Sequence, residues 1–227
     1  MADPDASDFA EMALALHDEP DVEATLERIV EYAQHATACD DAGVMLLHGQ
    51  GKIETAMVTD PRVGKADQFQ VELREGPCVR SIESHSSFIV DDLSSDSRWP
   101  EWGPRAAELG LHSLLSVRLY TTGGTVGSLN LYANEPKAFD EDDLDVAEIF
   151  GRHASIALAT AREESGLRQA ISARHVVGLA QGILMERYGL DAERAFSLLR
   201  RYSRHNNIKL RVVAERIIST GRLPEEP

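Results

Sequence analysis

The sequence is poor in cysteine and in aromatic residues, and it has no long apolar run. Its two cysteines in 227 residues, Cys39 and Cys78, make no disulfide framework. Neither has a second Cys or a His at metal-ligand spacing, and His48, His85, His112 and His153 are scattered with no paired spacing, so no metal site and no haem site is indicated. No apolar stretch approaches the ~20 residues that a membrane span needs. The first eight residues are acidic where a secretory leader would be basic and then greasy, so a cytoplasmic protein with no membrane partner is expected. Also missing are a Gly-x-Ser-x-Gly elbow, a phosphate-binding glycine loop and any kinase or cyclase signature; the reading is of a protein that is not an enzyme, with no cofactor predicted. Asp91, Asp92 and Asp96 lack the glycine and terminal glutamate of a calcium loop and read as a solvated turn.

What is there is a globular composition, 43% hydrophobic and 27% charged, in a length that allows one large domain or two modest ones at roughly 150 residues each. The net charge of −15 conceals an asymmetry. Residues 1–164 carry 12 Lys and Arg against 32 Asp and Glu, whereas residues 165–227 carry 11 against 6. An acidic body is followed by a small basic module, which can either meet a polyanion or present a basic helix surface with no partner.

Apolar residues at Val22, Leu26, Ile29, Val30 and Ala33 mark an amphipathic helix over 21–38. Residues 42–48 and 53–58 read as two strands joined by a Gly-Gln-Gly turn. The pattern weakens between Thr59 and Arg80, apart from a helix entered through Gly76 with Pro77 in its first turn. A short strand over 87–90 and a helix that begins after the prolines of 99–104 and stops at Gly110 follow. Residues 113–120 and 126–133 then form the clearest hairpin. From Asp140 to about Tyr188 the pattern is helical without a break. Its first half carries Val146, Ile149, Phe150, Ile156 and Leu158 around more than one face, which implies either a partner helix from a second subunit or burial between the sheet and the N-terminal helix.

Taken together, the helix, the hairpin, Glu75-Gly-Pro-Cys78, the strand ending at Asp91-Asp92, the Trp99-Pro100 stretch and the Val126-Gly-Ser-Leu-Asn-Leu-Tyr132 arm resemble a GAF domain, over 20–162. GAF domains are sensing folds with diverse ligands, so the resemblance implies a fold and leaves the ligand unknown. Trp99 and Trp102 either border a ligand cavity or pack in the core, and Cys78 reads as a small packing residue. Gly178-Leu-Ala-Gln-Gly-Ile-Leu-Met-Glu-Arg-Tyr-Gly189, with Ala195, Phe196, Leu199, Arg200, Ser203, Lys209, Leu210 and Ala214, is similar to an ANTAR domain. That resemblance implies a three-helix module binding paired RNA stem-loops, acting by transcription antitermination or post-transcriptional control. A lysine is usual in that family where this chain has Gln181, which can hydrogen-bond but brings no charge.

The expected architecture is therefore α+β: an N-terminal extension (1–19), a GAF sensor with an antiparallel sheet flanked by helices (20–162), an all-α ANTAR domain (163–222) reached through a long connecting helix, and an acidic tail (223–227). Asp191 is placed to cap a helix whose core face is Ala195, Phe196 and Leu199. The RNA-contact candidates are Gln181, Arg187, Arg200, Arg201, Tyr202, Ser203, Arg204, Asn207, Lys209 and Arg211. The same arginines can instead form surface pairs with Glu186, Glu193 and Glu215. The expected partners are structured RNA and a second copy of the chain, joined through the helix around Leu144–Leu179. The rival readings are a DNA-binding regulator and a GAF module acting by protein contact.

Overall fold

The computed structural model describes residues 6–37 and 39–223. The chain divides into two compact units, Met1–Glu163 and Glu164–Pro227.

In the first unit, α1 (Ala6–His17) and α2 (Val22–Ala36) precede β1 (Asp41–Leu47) and β2 (Ile53–Val58). Then come α3 (Pro61–Leu73), α4 (Pro77–Ser84), β3 (Phe88–Val90), α5 (Trp102–Ala107), β4 (Ser113–Thr121) and β5 (Gly124–Ala133). The strands form one sheet in the order β2-β1-β5-β4-β3, antiparallel throughout. Both faces are covered, so β1 and β5 are buried along almost their whole length, Ser128 and Asn130 of β5 included. Leu115, Val117, Leu119, Leu129 and Leu131 meet Leu26, Ile29, Val30 and Ala33 of α2 on one face, with Phe150, Ala154 and Leu158 from the long helix. On the other face Leu114, Met45 and Tyr132 meet Val63, Cys78, Ile82 and Trp102. The period of two along each strand sorts its residues between these two cores.

Two elements depart from the sequence reading. The N-terminal extension contains α1, whose Met12 and Leu16 are buried in the first core. Residues 61–73, where the sequence pattern weakens, form α3: Asp60 caps it through the Arg62 amide, Pro61 opens it, and its buried face includes Asp67 and Gln70. Polar residues on the inner face break the apolar periodicity that marks a helix. Trp102 is fully buried and its indole N–H donates to the Ala66 carbonyl at 2.9 Å, while Trp99 packs edge-on against Phe88. Both tryptophans pack in the core, and Trp99 also borders a hollow of about 430 Å³ with Arg80, Phe88 and Arg98, whereas Trp102 does not.

The long helix α6 (Glu141–Tyr188) has 48 residues. Asp140 accepts from the amides of Asp142 and Asp143, and Asp143 accepts in return from the Asp140 amide, a reciprocal cap under an acidic first turn. The second unit comprises the last part of α6, α7 (Ala192–His205) and α8 (Leu210–Thr220). Its core joins Ala180 and Leu184 with Ala195 and Leu199 and with Val213, Ala214 and Ile217. The turn after α6 runs through Gly189 at φ 63°, a conformation that glycine adopts without penalty. The acidic tail lies, from residue 224 on, outside the described residues.

Candidate nucleic-acid interface

Helix α7 starts where Asp191 accepts from the Arg194 amide at 2.7 Å. With Ala195 and Leu199 turned into the core and Leu198 and Tyr202 packed at its border, the opposite face is left to Ser197, Arg200, Arg201, Arg204 and His205. Their spacing of three to four residues puts them on one side of the helix. These five residues line a shallow depression of about 540 Å³. Arg200, Arg201 and Arg204 are exposed, and none of the three forms an ion pair among the described residues. Pairing with carboxylates, the other role open to the basic residues of this unit, occurs elsewhere: Arg211 holds Glu215 at 2.8 Å, and Arg194 lies 3.4 Å from its own cap, Asp191.

The other candidate residues do not line this depression. Gln181 donates through Nε2 to the Ala192 carbonyl at 2.6 Å, tying α6 to the start of α7. Arg187 donates to the Gly221 carbonyl at 2.9 Å and fastens α6 to the end of α8. Ser203 donates to the Ile208 carbonyl at 2.6 Å, and Tyr202 is half-buried against the core. These contacts brace the turns. Asn207, at φ 50°, and Lys209, which precedes α8, are exposed. Ser197 and His205 are not among the residues that the sequence singles out. The signal that finds them is the helical repeat of α7 itself, extended one turn either way from Arg200 and Arg201.

The first unit holds a different kind of polar group, a hydrogen-bonded cluster inside its second core. Asp67 accepts from Thr55 Oγ1 at one carboxylate oxygen and from Tyr132 Oη at the other, both at 3.1 Å. Gln70 donates to Cys78 Sγ at 2.9 Å and accepts from the Cys78 amide at 2.9 Å. Burial pushes the Asp67 carboxyl up to about 7, against the opposing effect of its two hydroxyl donors. Burial likewise pushes the Cys78 thiol and the Tyr132 phenol up, so Cys78 is a packed thiol and not a nucleophile. Among the described residues no group of His, Cys, Asp and Glu is arranged to hold a metal ion, and no helix is long and apolar enough to cross a membrane.

Comparison with known proteins places both units. The GAF domain profile matches residues 19–159 and the ANTAR domain profile matches residues 165–218. No curated protein is significantly similar in sequence. Among solved structures, the GAF domain of a phosphoenolpyruvate-protein phosphotransferase from Coxiella burnetii superposes with a TM-score of 0.56 at 16% identity, covering 70% of this chain and 94% of that one. The corresponding Acinetobacter domain gives 0.53 at 12% identity, over 70% and 94%. Free methionine-R-sulfoxide reductase from Neisseria meningitidis gives 0.51 at 15%, over 69% and 89%. At such identities the likeness is one of fold. The chain belongs to the GAF domain family and carries an ANTAR domain behind its GAF domain, the architecture of a signal-responsive regulator.

Proposed function

We propose that the chain is an RNA-binding regulator that acts by transcription antitermination or post-transcriptional control, with α7 and α8 engaging stem-loop RNA and the GAF domain receiving the signal. The observation that carries this reading is the set of three arginines, Arg200, Arg201 and Arg204, gathered on one face of α7 with no carboxylate beside them. Guanidinium groups free of internal partners can neutralise phosphates and stack on unpaired bases. Asn207 and Lys209, exposed at the turn into α8, extend the polar surface available to a loop.

The chain acts as a homodimer through α6, so that two ANTAR domains meet two stem-loops. Ile149, Ile156, Leu167 and Ile171 are exposed toward one side of this helix, and a pairing of two copies along that side would cover them. A signal at the GAF domain then changes RNA affinity through its different affinity for two arrangements of the paired helices. The test is a filter-binding titration of the full chain against a dual stem-loop RNA, a loop-scrambled RNA and duplex DNA at matched salt. Preference for the intact loops, abolished by Arg200→Ala, supports the reading. Preference for duplex DNA, or equal weak binding to all three, overturns it.

A further inference from the structure

Strand β3 is short. It pairs with β4 only from Phe88 opposite Ser116 to Val90 opposite Leu114, so beyond Ser116 this edge of β4 has no strand partner among the described residues. Helix α6 closes part of the gap, where Ser155 Oγ accepts from the Tyr120 amide at 2.8 Å. The loop after α4, turned by His85 at φ 62°, closes another part. Between them lies a recess of about 230 Å³ lined by His85, Ser87, Arg118, Tyr120, Glu148 and Arg152.

The recess is unusual in its charge. The first 164 residues carry 12 basic against 32 acidic groups, and Arg28, Arg62, Arg80, Arg98 and Arg105 of this unit each stand beside a carboxylate. Arg118 does not. Its Nε and Nη2 donate to Thr125 Oγ1 at 3.0 and 2.7 Å, and its guanidinium lies 4.6 Å from the centre of the Tyr120 ring. The group is thus held by a hydroxyl and a ring face, with Nη1 left over. Arg152 is exposed and has neither an ion pair nor a side-chain hydrogen bond among the described residues. The one acid of the recess, Glu148, accepts from Ser87 Oγ at 2.8 Å. Two guanidiniums without an ion pair line one small hollow against a single carboxylate, so the recess keeps a net positive charge, and with one of the two pre-positioned it can receive an oxyanion, because a guanidinium fork matches the oxygens of a carboxylate or phosphate.

We propose that this recess is a binding site for the carboxylate or phosphate group of a small molecule, held between Arg118 on the sheet edge and Arg152 on α6. The site stands independently of any RNA-binding role. Its occupant links the sheet to the helix that runs on from the GAF domain.

The test is a nuclear magnetic resonance titration of the full chain at constant ionic strength, with inorganic phosphate in one arm, succinate in a second and chloride as control. Saturable shifts at the amides of Ser87 and Tyr120 are expected in at least one of the first two arms and not with chloride. Saturation with phosphate alone assigns a phosphate ligand, and saturation with succinate alone assigns a carboxylate. Arg152→Gln, which removes no internal contact, should weaken binding by about tenfold, the loss of one charge-assisted bond. Arg118→Lys should weaken it as well, by removing the fork while keeping the charge. Arg80→Gln, outside the recess, should leave it unchanged. Shifts that do not saturate in either arm, or saturable binding that Arg152→Gln leaves intact, overturn the proposal.

Discussion

Tyr132, on the central strand β5, donates its phenolic hydrogen to Asp67 on α3 at 3.1 Å, inside a core from which both residues are excluded from solvent. Thr55 of β2 donates to the other carboxylate oxygen, so one acid joins three elements of the GAF domain. An acid in this position is costly when charged. Burial outweighs the two donors and holds its carboxyl up at about 7.

The consequence is a pH-dependent stability with a definite sign. In the unfolded chain an aspartate titrates near ~3.9, so between about pH 4 and 7 the folded state binds a proton that the unfolded state has lost. Stability therefore falls as pH rises through that window, by up to roughly 1.4 kcal/mol per unit from this group, and the slope disappears above it. Asp67→Asn removes the titration and keeps the shape, since either hydroxyl can turn to accept from the amide. Denaturant midpoints at pH 5, 6, 7 and 8 check this: the variant should gain on the parent as pH rises. Parallel pH profiles for the two chains would reject it.

Beside this cluster, Gly76 stands at φ 139°, and a methyl group there would lie 2.2–2.5 Å from three atoms of the Gln70 side chain. Gln70 cannot retreat without releasing the Cys78 amide and thiol, both of which it bonds. Gly76→Ala is expected to cost about 2 kcal/mol or more, from strain and a broken hydrogen bond together. Gly178→Ala, on an exposed turn of α6 with open space around the added methyl group, should instead stabilise by about 0.5–1 kcal/mol. Thermal unfolding of the two variants gives the contrast in sign.

How much of this is legible in the sequence follows from where polar residues sit. Helices α2 and α6 to α8 and both hairpin strands of the central sheet can be read directly, because most of their buried positions are apolar and recur at the period of the element, with small polar exceptions such as Thr25, Ser116 and Ser128. Helix α3 is hidden, since Asp67 and Gln70 occupy its inner face and are satisfied only by Thr55, Tyr132 and Cys78, residues brought to them by the tertiary fold. The same limit applies to the interface. Sequence shows that Arg187, Arg200, Arg201 and Arg204 are basic. Only the fold shows that Arg187 is committed to the Gly221 carbonyl while the other three have no such partner.

The exposed apolar positions of α6 make the proposed dimer testable. At ~100° per residue, Ile149, Ile156 and Leu167 fall within about 20° of one another around the helix, and Ile171 about 40° further on. Ile156 and Leu167 are 60% and 62% exposed, unusual for such side chains on a regular helix. Ile156→Glu and Leu167→Glu should each leave the fold intact, because neither side chain belongs to a core, and should convert a dimer to a monomer in sedimentation equilibrium. A monomeric parent chain at micromolar concentration would sink the pairing.

For the proposed RNA interface, the discriminating experiment sets arginines with internal partners against arginines without them. Arg201→Gln and Arg204→Gln remove charges that nothing in the chain uses, so each should lower RNA affinity with little effect on stability. Each should also flatten the plot of log affinity against log salt by about 0.7–0.9 for every phosphate that is no longer neutralised. Arg187→Gln removes a 2.9 Å bond that ties α6 to the end of α8, and should cost about 1 kcal/mol of stability while leaving the salt slope in place. Arg211→Gln, whose charge is already answered by Glu215, should lie between the two. Affinity measured at several salt concentrations, with stability measured on the same preparations, separates these outcomes. If all four variants lose affinity equally with the same change in slope, binding depends on total charge, and the face of α7 has no privileged part in it.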